Sequence, residues 1–582
     1  MAQPRIDRRS LMAGVAALAC GLGGPAACVS AAAPADGRGG RPNIIYILLD
    51  DVGFSDLAPY GSEIATPAIS ALAADGLRYN RFDTRAICSP TRAALLTGRN
   101  NQSVGMMDLP ANPTPTTPAH SLGYIAPTAA TVAELLQSAG YGTSAVGKWH
   151  LMPPNEYAEG VRDHRNWPRG KGFDNYYGFL TGWTDQWEPL EQGLGGRMNE
   201  GETPITTPAP PGYHVSEAIV SRAIDYLKKD REQGKPSFLY LAFGAAHSPI
   251  QAPRAFIDKY RGRYDAGWDR LRAERFARQK QLGIIPADAV LTERAPEDPA
   301  WDSLSAEQKR VFARFMEVYA GFIEHTDAQI GRLIDYLKAT GQYENSLIFL
   351  MSDNGAAPEA GLVGGFDRPY GGTMTVAQMA ARLDDLGGPE SSALYQRPWA
   401  WLGATPFKRY KLWPFGGGAR DPLIVTWPSA IRDRGAIRPQ YVETIDITAT
   451  ALDAAGVALP AAVKGVPQMP LHGASIRRSF TSAAAPPART RQYYLMRGNR
   501  AITDGDWKAV AIHVNGTPFE QDRWELYNVA LDYSESRDLA AQFPDKLREM
   551  QQLWLAEAQR YGGLPLAEFY LPSAVRPPAA AG

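Results

Sequence analysis

An α/β sheet domain followed by a small antiparallel unit is predicted by three observations in this 582-residue chain. From Asn43 onward, short continuous apolar runs alternate with amphipathic segments, the pattern of strands covered by helices on both faces. Polar residues follow those runs directly, as at Asp50-Asp51 and Asp353-Asn354. Beyond about residue 480 the runs shorten and are joined by tight turns, as in an antiparallel sheet.

The first residues carry an address rather than a fold. Arg8-Arg9-Ser10-Leu11-Met12 is a twin arginine leading into the apolar stretch Leu11 to Leu22, and Ser30-Ala31-Ala32-Ala33 offers a cleavage site. Residues 1–33 are therefore expected to be a twin-arginine signal for a periplasmic or secreted protein. Cys20 and Cys28 offer the alternative of a lipid anchor, although neither sits in a leucine-led lipobox. Residues 34–42 form a Pro/Gly/Ala linker.

The body of the protein, residues 43–480, opens on the run Asn43 to Leu49, expected to be a strand buried on both faces. Ser237 to Phe243, Leu347 to Met351 and Leu423 to Val425 are further strands. Thr131 with Glu134 makes a capping box for a helix that Gly140 stops. Ser305 with Gln308 opens a long helix whose apolar positions Val311, Phe315, Val318, Phe322, Ile330, Leu333 and Leu337 recur at helical spacing up to Gly341. Residues 254–304, rich in Arg, Glu and Asp, are expected to be a surface excursion, and 153–213 an aromatic-bearing Gly/Pro-rich loop. In residues 481–582, Ala501 to Ile512 predicts a hairpin around Asp504-Gly505-Asp506. Trp524 to Tyr527 is another strand, and a helix runs from about Asp545 to Arg560.

Composition excludes several classes. Net charge is −1 with no block of like charges, so there is no electrostatic footprint for nucleic acid. Outside the N-terminus no apolar run approaches the roughly 18–20 residues of a membrane span. Of the three cysteines, Cys20 and Cys28 lie in the segment expected to be removed. A single remaining cysteine, Cys88, in an exported chain rules out a disulfide framework and leaves a reactive or modified thiol beside the plainer reading of a buried inert one, which the count alone favours.

Chemistry-bearing residues gather where strands end. Asp50-Asp51, Lys148 with His150, His247, and Asp353-Asn354 each follow an apolar run, and the carboxyl ends of such strands line the ligand crevice of an α/β sheet. One such aspartate is usually a turn or cap residue; four segments together are hard to assign to capping alone. Asp50, Asp51, Asp353 and Asn354 offer oxygen ligands suited to calcium or magnesium, and the carboxylates would repel one another without a cation between them. The lysine and histidines point to an anionic substrate. Cys88-Ser89-Pro90-Thr91-Arg92 precedes the helix-like Ala93 to Thr97, which Gly98 ends, so Cys88 sits at a helix N-terminus that favours a tetrahedral anion.

Cys88 to Arg92, with Leu95-Leu96-Thr97-Gly98-Arg99 downstream, resembles the signature of the formylglycine-dependent (type I) sulfatases of the alkaline phosphatase superfamily. Gly147-Lys148-Trp149-His150 and Ser352-Asp353-Asn354-Gly355 extend the resemblance. Ile284 to Asp288 and Thr405 to Lys411 are similar to the bacterial arylsulfatase branch. The resemblance implies a large mixed sheet flanked by helices and hydrolysis of sulfate monoesters, aryl sulfates in particular. It implies that a maturase oxidises Cys88 to formylglycine, whose hydrate presents a hydroxyl to sulfur. Asp50, Asp51, Asp353 and Asn354 would hold calcium, with magnesium as the alternative, and the residue at Cys88 would share that ion. Asp353 would accept the hydroxyl's proton and Arg92 would orient the hydrate. Lys148 and Lys411 would bind sulfate oxygens. His247 would protonate the leaving oxygen, while His150 would deprotonate the second hydroxyl to expel sulfate.

One departure stands out. The family often carries a glutamate where this chain has Gly416, in Phe415-Gly416-Gly417-Gly418, which predicts a missing partner near Lys411. Histidines 120, 164, 214, 325, 472 and 513 are expected to be structural, and the sequons at Asn101 and Asn515 carry little meaning in a bacterial-type exported protein. Two rival readings remain. A formylglycine-dependent phosphodiesterase or phosphonate monoester hydrolase would use the same groups, and matched sulfate and phosphate esters would separate it. A non-catalytic sulfoglycan-binding protein would keep Cys88 as a thiol.

Overall fold

A ten-stranded mixed sheet sets the positions of Asp50, Asp51, Lys148, Asp353 and Asn354 at its edge. The computed structural model describes residues 40–157, 161–190, 196–367 and 372–567; the expected export signal lies outside them. In chain order the strands are β1 (Asn43–Leu49), β2 (Leu77–Tyr79), β3 (Gly142–Lys148), β4 (Asn175–Phe179), β5 (Met198–Glu200), β6 (Thr203–Pro204), β7 (Ser237–Ala242), β8 (Ser346–Ser352), β9 (Leu423–Thr426) and β10 (Ile437–Arg438). Across the sheet they run β10-β2-β9-β8-β1-β7-β3-β4-β5-β6. The central strands β8, β1, β7, β3 and β4 are all parallel, so their carboxyl ends meet at one edge. Antiparallel β9, beside β8 and β2, makes the sheet mixed.

The helices that matter here are α1 (Pro67–Asp75), α2 (Cys88–Thr97), α3 (Val132–Ser138), α4 (Val215–Glu232), α5 (Gly267–Gln281), α6 (Ala306–Ala339), α7 (Thr444–Ala455) and α8 (Pro544–Arg560). Alternation along the strands sends side chains to two apolar layers. Ile45, Ile47 and Leu49 join Leu239, Leu241, Ile348 and Leu350 on the face covered by α4 and α6. Ile44, Tyr46 and Leu48 join Phe238, Tyr240, Leu347 and Phe349 on the face covered by α2, α3 and α7. Burial on both faces is why these strands read as unbroken apolar runs. Both predicted capping boxes form, at Thr131/Glu134 and Ser305/Gln308.

Four antiparallel strands follow: β11 (Arg491–Met496), β12 (Asn499–Asp504), β13 (Trp507–Ala511) and β14 (Trp524–Asn528). Tyr493, Leu495, Ile502, Ala509 and Leu526 face Met550, Trp554 and Ala558 of α8. On the opposite face, Tyr494, Met496, Ala501 and Val510 join the main core.

Two segments differ from expectation. The stretch 153–213 contributes β4, β5 and β6 to the sheet edge, strands too short and too interrupted by glycine to show a period. The stretch 254–304 is not merely a surface excursion, because α5 buries Trp268, Arg272, Arg275 and Gln279. Arg272 donates to Phe407 O (2.7 Å), Pro406 O (3.1 Å), Thr405 Oγ1 (3.1 Å) and Trp401 O. Arg275 pairs with Asp56 at 2.6 Å and Glu63 at 2.8 Å. This helix therefore clamps the loop that leads to Lys411.

Candidate active site

The strand edge, a helix and the loop that carries Lys411 bring all ten predicted residues together, nine of them buried and His150 partly so. β1 delivers Asp50 and Asp51, β3 ends in Lys148, β8 leads to Asp353 and Asn354, and the turn after β7 carries His247. That turn is tied to β1 by Asp50 N–H donating to Ala245 O (2.9 Å) and Ala246 N–H donating to Asp50 O (2.6 Å). Cys88 is the first residue of α2, and Arg92, one turn on, lies on the same face.

The contacts form a network. Arg92 reaches Asp353 Oδ2 from Nη2 (2.7 Å) and Nε (2.9 Å), with Asp50 Oδ2 at 3.6 Å and Tyr240 Oη at 3.3 Å. Lys148 Nζ lies 2.6 Å from Asp50 Oδ2. Asp51 accepts from Asn354 Nδ2 (2.7 Å), pairs with Lys411 Nζ (2.9 Å) and faces His247 Nε2 (3.7 Å). His247 Nδ1 is 2.7 Å from Ser248 O, so Nδ1 carries a proton and Nε2 is the end turned to the cluster. His150 Nδ1 lies 3.4 Å from Cys88 Sγ. Its ring rests on Gly182, where an added Cβ would meet Cε1 at 2.8 Å. Asp51 (φ 60) and His150 (φ 55) are both left-handed, a conformation that costs non-glycine residues about 1–2 kcal/mol and that the surrounding contacts must hold.

Burial and crowding act on the site's charges in opposite directions. Burial and the charge of Asp353 push Asp50 up to about 8, against Lys148 and Arg92. Burial also acts on Asp51, but Lys411, His247 and Lys148 outweigh it and hold the carboxyl at about 2. Burial drives His247 down to about 3 and, with the nearby lysines and Arg92, lowers His150 well below its usual value. Asp50 Oδ1 and Asn354 Oδ1 are buried without a hydrogen-bond partner. Asp50, Asp51 and His247 converge closely enough to share one ion. Orphaned oxygens and clustered carboxylates are what a divalent cation would relieve, so the donor set fits a hard metal.

Sequence reasoning missed three participants. Glu359 pairs with Lys411 Nζ at 2.9 Å. It is the lone acid in Gly355 to Leu362, six residues beyond Asp353, and that isolation was its only signal. Tyr240, facing Arg92 from β7, is indistinguishable in sequence from a core tyrosine. Glu535 is the third. The region around Gly416 is not short of an acid: Gly416 N–H donates to Glu535 Oε2 (3.0 Å), itself paired with Lys508 at 2.7 Å. A side chain at residue 416 would strike Phe407 at 2.4 Å. The six remaining histidines lie outside the cluster in structural settings. His214, for instance, caps α4, His164 stacks on Trp167 and His325 pairs with Glu217.

The fold is a large mixed sheet flanked by helices, and its carboxyl edge gathers carboxylates, lysines and histidines in one place. The sulfatase family model matches residues 42–457, and that of the N-sulphoglucosamine sulphohydrolase C-terminal region matches 409–554. An uncharacterised sulfatase of Schizosaccharomyces pombe is 33% identical over 538 residues, covering 88% of this chain and 93% of its own. The arylsulfatase of Klebsiella aerogenes is 32% identical over 462 residues, covering 78% and 93%. A chain solved in complex with its substrate D-glucosamine-2-N,6-O-disulfate superposes with a TM-score of 0.57 at 19% identity, covering 90% and 99%. The chain belongs to the type I sulfatase family and is a sulfuric ester hydrolase.

Proposed function

We propose that this protein hydrolyses aryl sulfates in the periplasm or outside the cell, using a formylglycine made from Cys88 by a maturase and a calcium ion. One observation carries the reading: Cys88 opens a helix, 3.4 Å from His150, inside the same buried cluster as Asp50, Asp51, Asp353, Asn354, Lys148, His247 and Lys411. Asp50, Asp51, Asp353, Asn354 and the residue at Cys88 would hold the metal, which would supply positive charge against the sulfuryl oxygens. The formylglycine would supply the hydrated aldehyde as nucleophile. Arg92, braced by Asp353 and Tyr240, orients the group at residue 88, and Asp353 takes its proton. Lys148 and Lys411 bind the sulfate oxygens. His247 gives a proton to the leaving oxygen from Nε2, the negative substrate offsetting the burial that otherwise keeps the ring neutral. His150, held neutral, removes a proton at residue 88. Export rests on the twin-arginine segment, and aryl preference on similarity to the Klebsiella aerogenes arylsulfatase.

The test is the tryptic peptide Ala86 to Arg92 from protein produced with a maturase. Its mass should report an aldehyde; full activity with an intact thiol refutes the mechanism. Metal analysis of Asp50→Ala should show lost stoichiometry and turnover. Matched sulfate and phosphate esters of one phenol should favour the sulfate, and the reverse preference would overturn the substrate class.

A further inference from the structure

We propose that Glu359 is the positioning residue for Lys411, holding its ammonium on the sulfate side of the site; the inference rests on Lys411 binding sulfate. Glu359 Oε1 lies 2.9 Å from Lys411 Nζ, and both side chains are buried. Their two segments are zipped along the backbone: Lys411 N–H donates to Ala356 O (3.2 Å) and Gly355 N–H donates to Gly418 O (3.1 Å). Arg397 N–H, donating to Gly361 O (2.6 Å), pins the far end of the Glu359 segment. The carboxylate therefore stands on a rigid support. Lys411 also touches Asp51, but Asp51 already serves Asn354 and faces His247, and it belongs to the set that would hold the metal. With Asp51 committed to a cation, the Glu359 carboxylate still stands 2.9 Å from Lys411. A buried lysine freed from its acid loses both its orientation and the partner that stabilises its charge.

A double-mutant cycle tests this. Glu359→Gln keeps the size and removes the charge. It should lower kcat/KM for an aryl sulfate about tenfold, chiefly through KM, and weaken inhibition by inorganic sulfate in parallel. Lys411→Ala should lose about a hundredfold, and the double variant should be no worse than Lys411→Ala alone. Multiplying losses, or a Glu359→Gln enzyme within twofold of the parent while Lys411→Ala is impaired, overturn the assignment of Glu359. An unimpaired Lys411→Ala instead overturns the reading of Lys411 itself. Thermal unfolding checks the fold; if Glu359→Gln does not fold, Glu359→Asp, which keeps the charge but withdraws it by one methylene, takes its place with the same expectations.

Discussion

Replacing Gly182 with alanine should slow turnover without unfolding the protein. The added methyl would sit 2.8 Å from His150 Cε1, 3.0 Å from Nε2 and 3.3 Å from Nδ1, whereas ordinary contact begins at 3.4 Å. The ring must retreat by about 0.6 Å at its tightest point. Its backbone cannot follow, being left-handed and fixed by His150 N–H donating to Leu180 O at 3.1 Å. The displacement falls on the 3.4 Å approach of Nδ1 to residue 88. A misplacement of about 1 Å can cost roughly a hundredfold in rate, so linear scaling gives a kcat loss of roughly tenfold to twentyfold. Gly182 does not occupy the left-handed region, so alanine suits its backbone. The entropy gained by losing a glycine, about 0.4–1 kcal/mol, offsets a ring strain of similar size. The assay is steady-state hydrolysis of nitrophenyl sulfate beside thermal unfolding. A kcat within twofold of the parent, with the fold intact, refutes the placement of His150 at the proton.

Other perturbations separate neighbouring roles. His247→Ala should lose about 10²–10⁴-fold on sulfate esters of poor leaving groups and much less on nitrophenyl sulfate, read as a steeper dependence of rate on leaving-group pKa; equal losses would remove it as the acid. Arg272→Met leaves the acceptors of the 401–407 loop unsatisfied and should destabilise by about 3–5 kcal/mol in denaturant unfolding. The same variant should raise KM, because the loop leads to Lys411. Asp327 accepts from the N–H groups of Ala68 (3.0 Å) and Ile69 (2.8 Å) in α1, yet burial pushes it up to about 6. Its folded value lies above the unfolded one near 3.8, so stability is fully present below that pH and falls as pH rises through 6, by about 3 kcal/mol in all. Thermal unfolding from pH 4 to 7 should show that slope, and Asp327→Asn should flatten it.

The legible part of the sequence was local. The runs at Asn43, Ser237 and Leu347 announce strands buried on both faces, and the boxes at Thr131 and Ser305 announce helix starts, because each signal lies within a few residues. The site was legible for a related reason: parallel strands deliver the residues just beyond their carboxyl ends to one edge, so residues far apart in the chain can be placed together. The features that escaped needed partners from elsewhere. Arg272 and Arg275 read as surface residues because charged side chains are seldom buried. Apart from Thr292, the acceptors of Arg272 lie on a loop more than a hundred residues on. Glu535 meets Gly416 only because the C-terminal sheet packs its Tyr494 face onto the main core.

That last contact ties the glycine turn of the site to a residue made late in synthesis. Cys88 is 3% exposed in the folded protein, so a bulky agent reaches its sulfur more easily before the cluster closes. The glycine turn beside Asn354 is braced by Glu535, which leaves the ribosome tens of seconds after Cys88 at roughly 5–20 residues per second. A chain truncated ahead of Glu535 would lose that brace on the glycine turn.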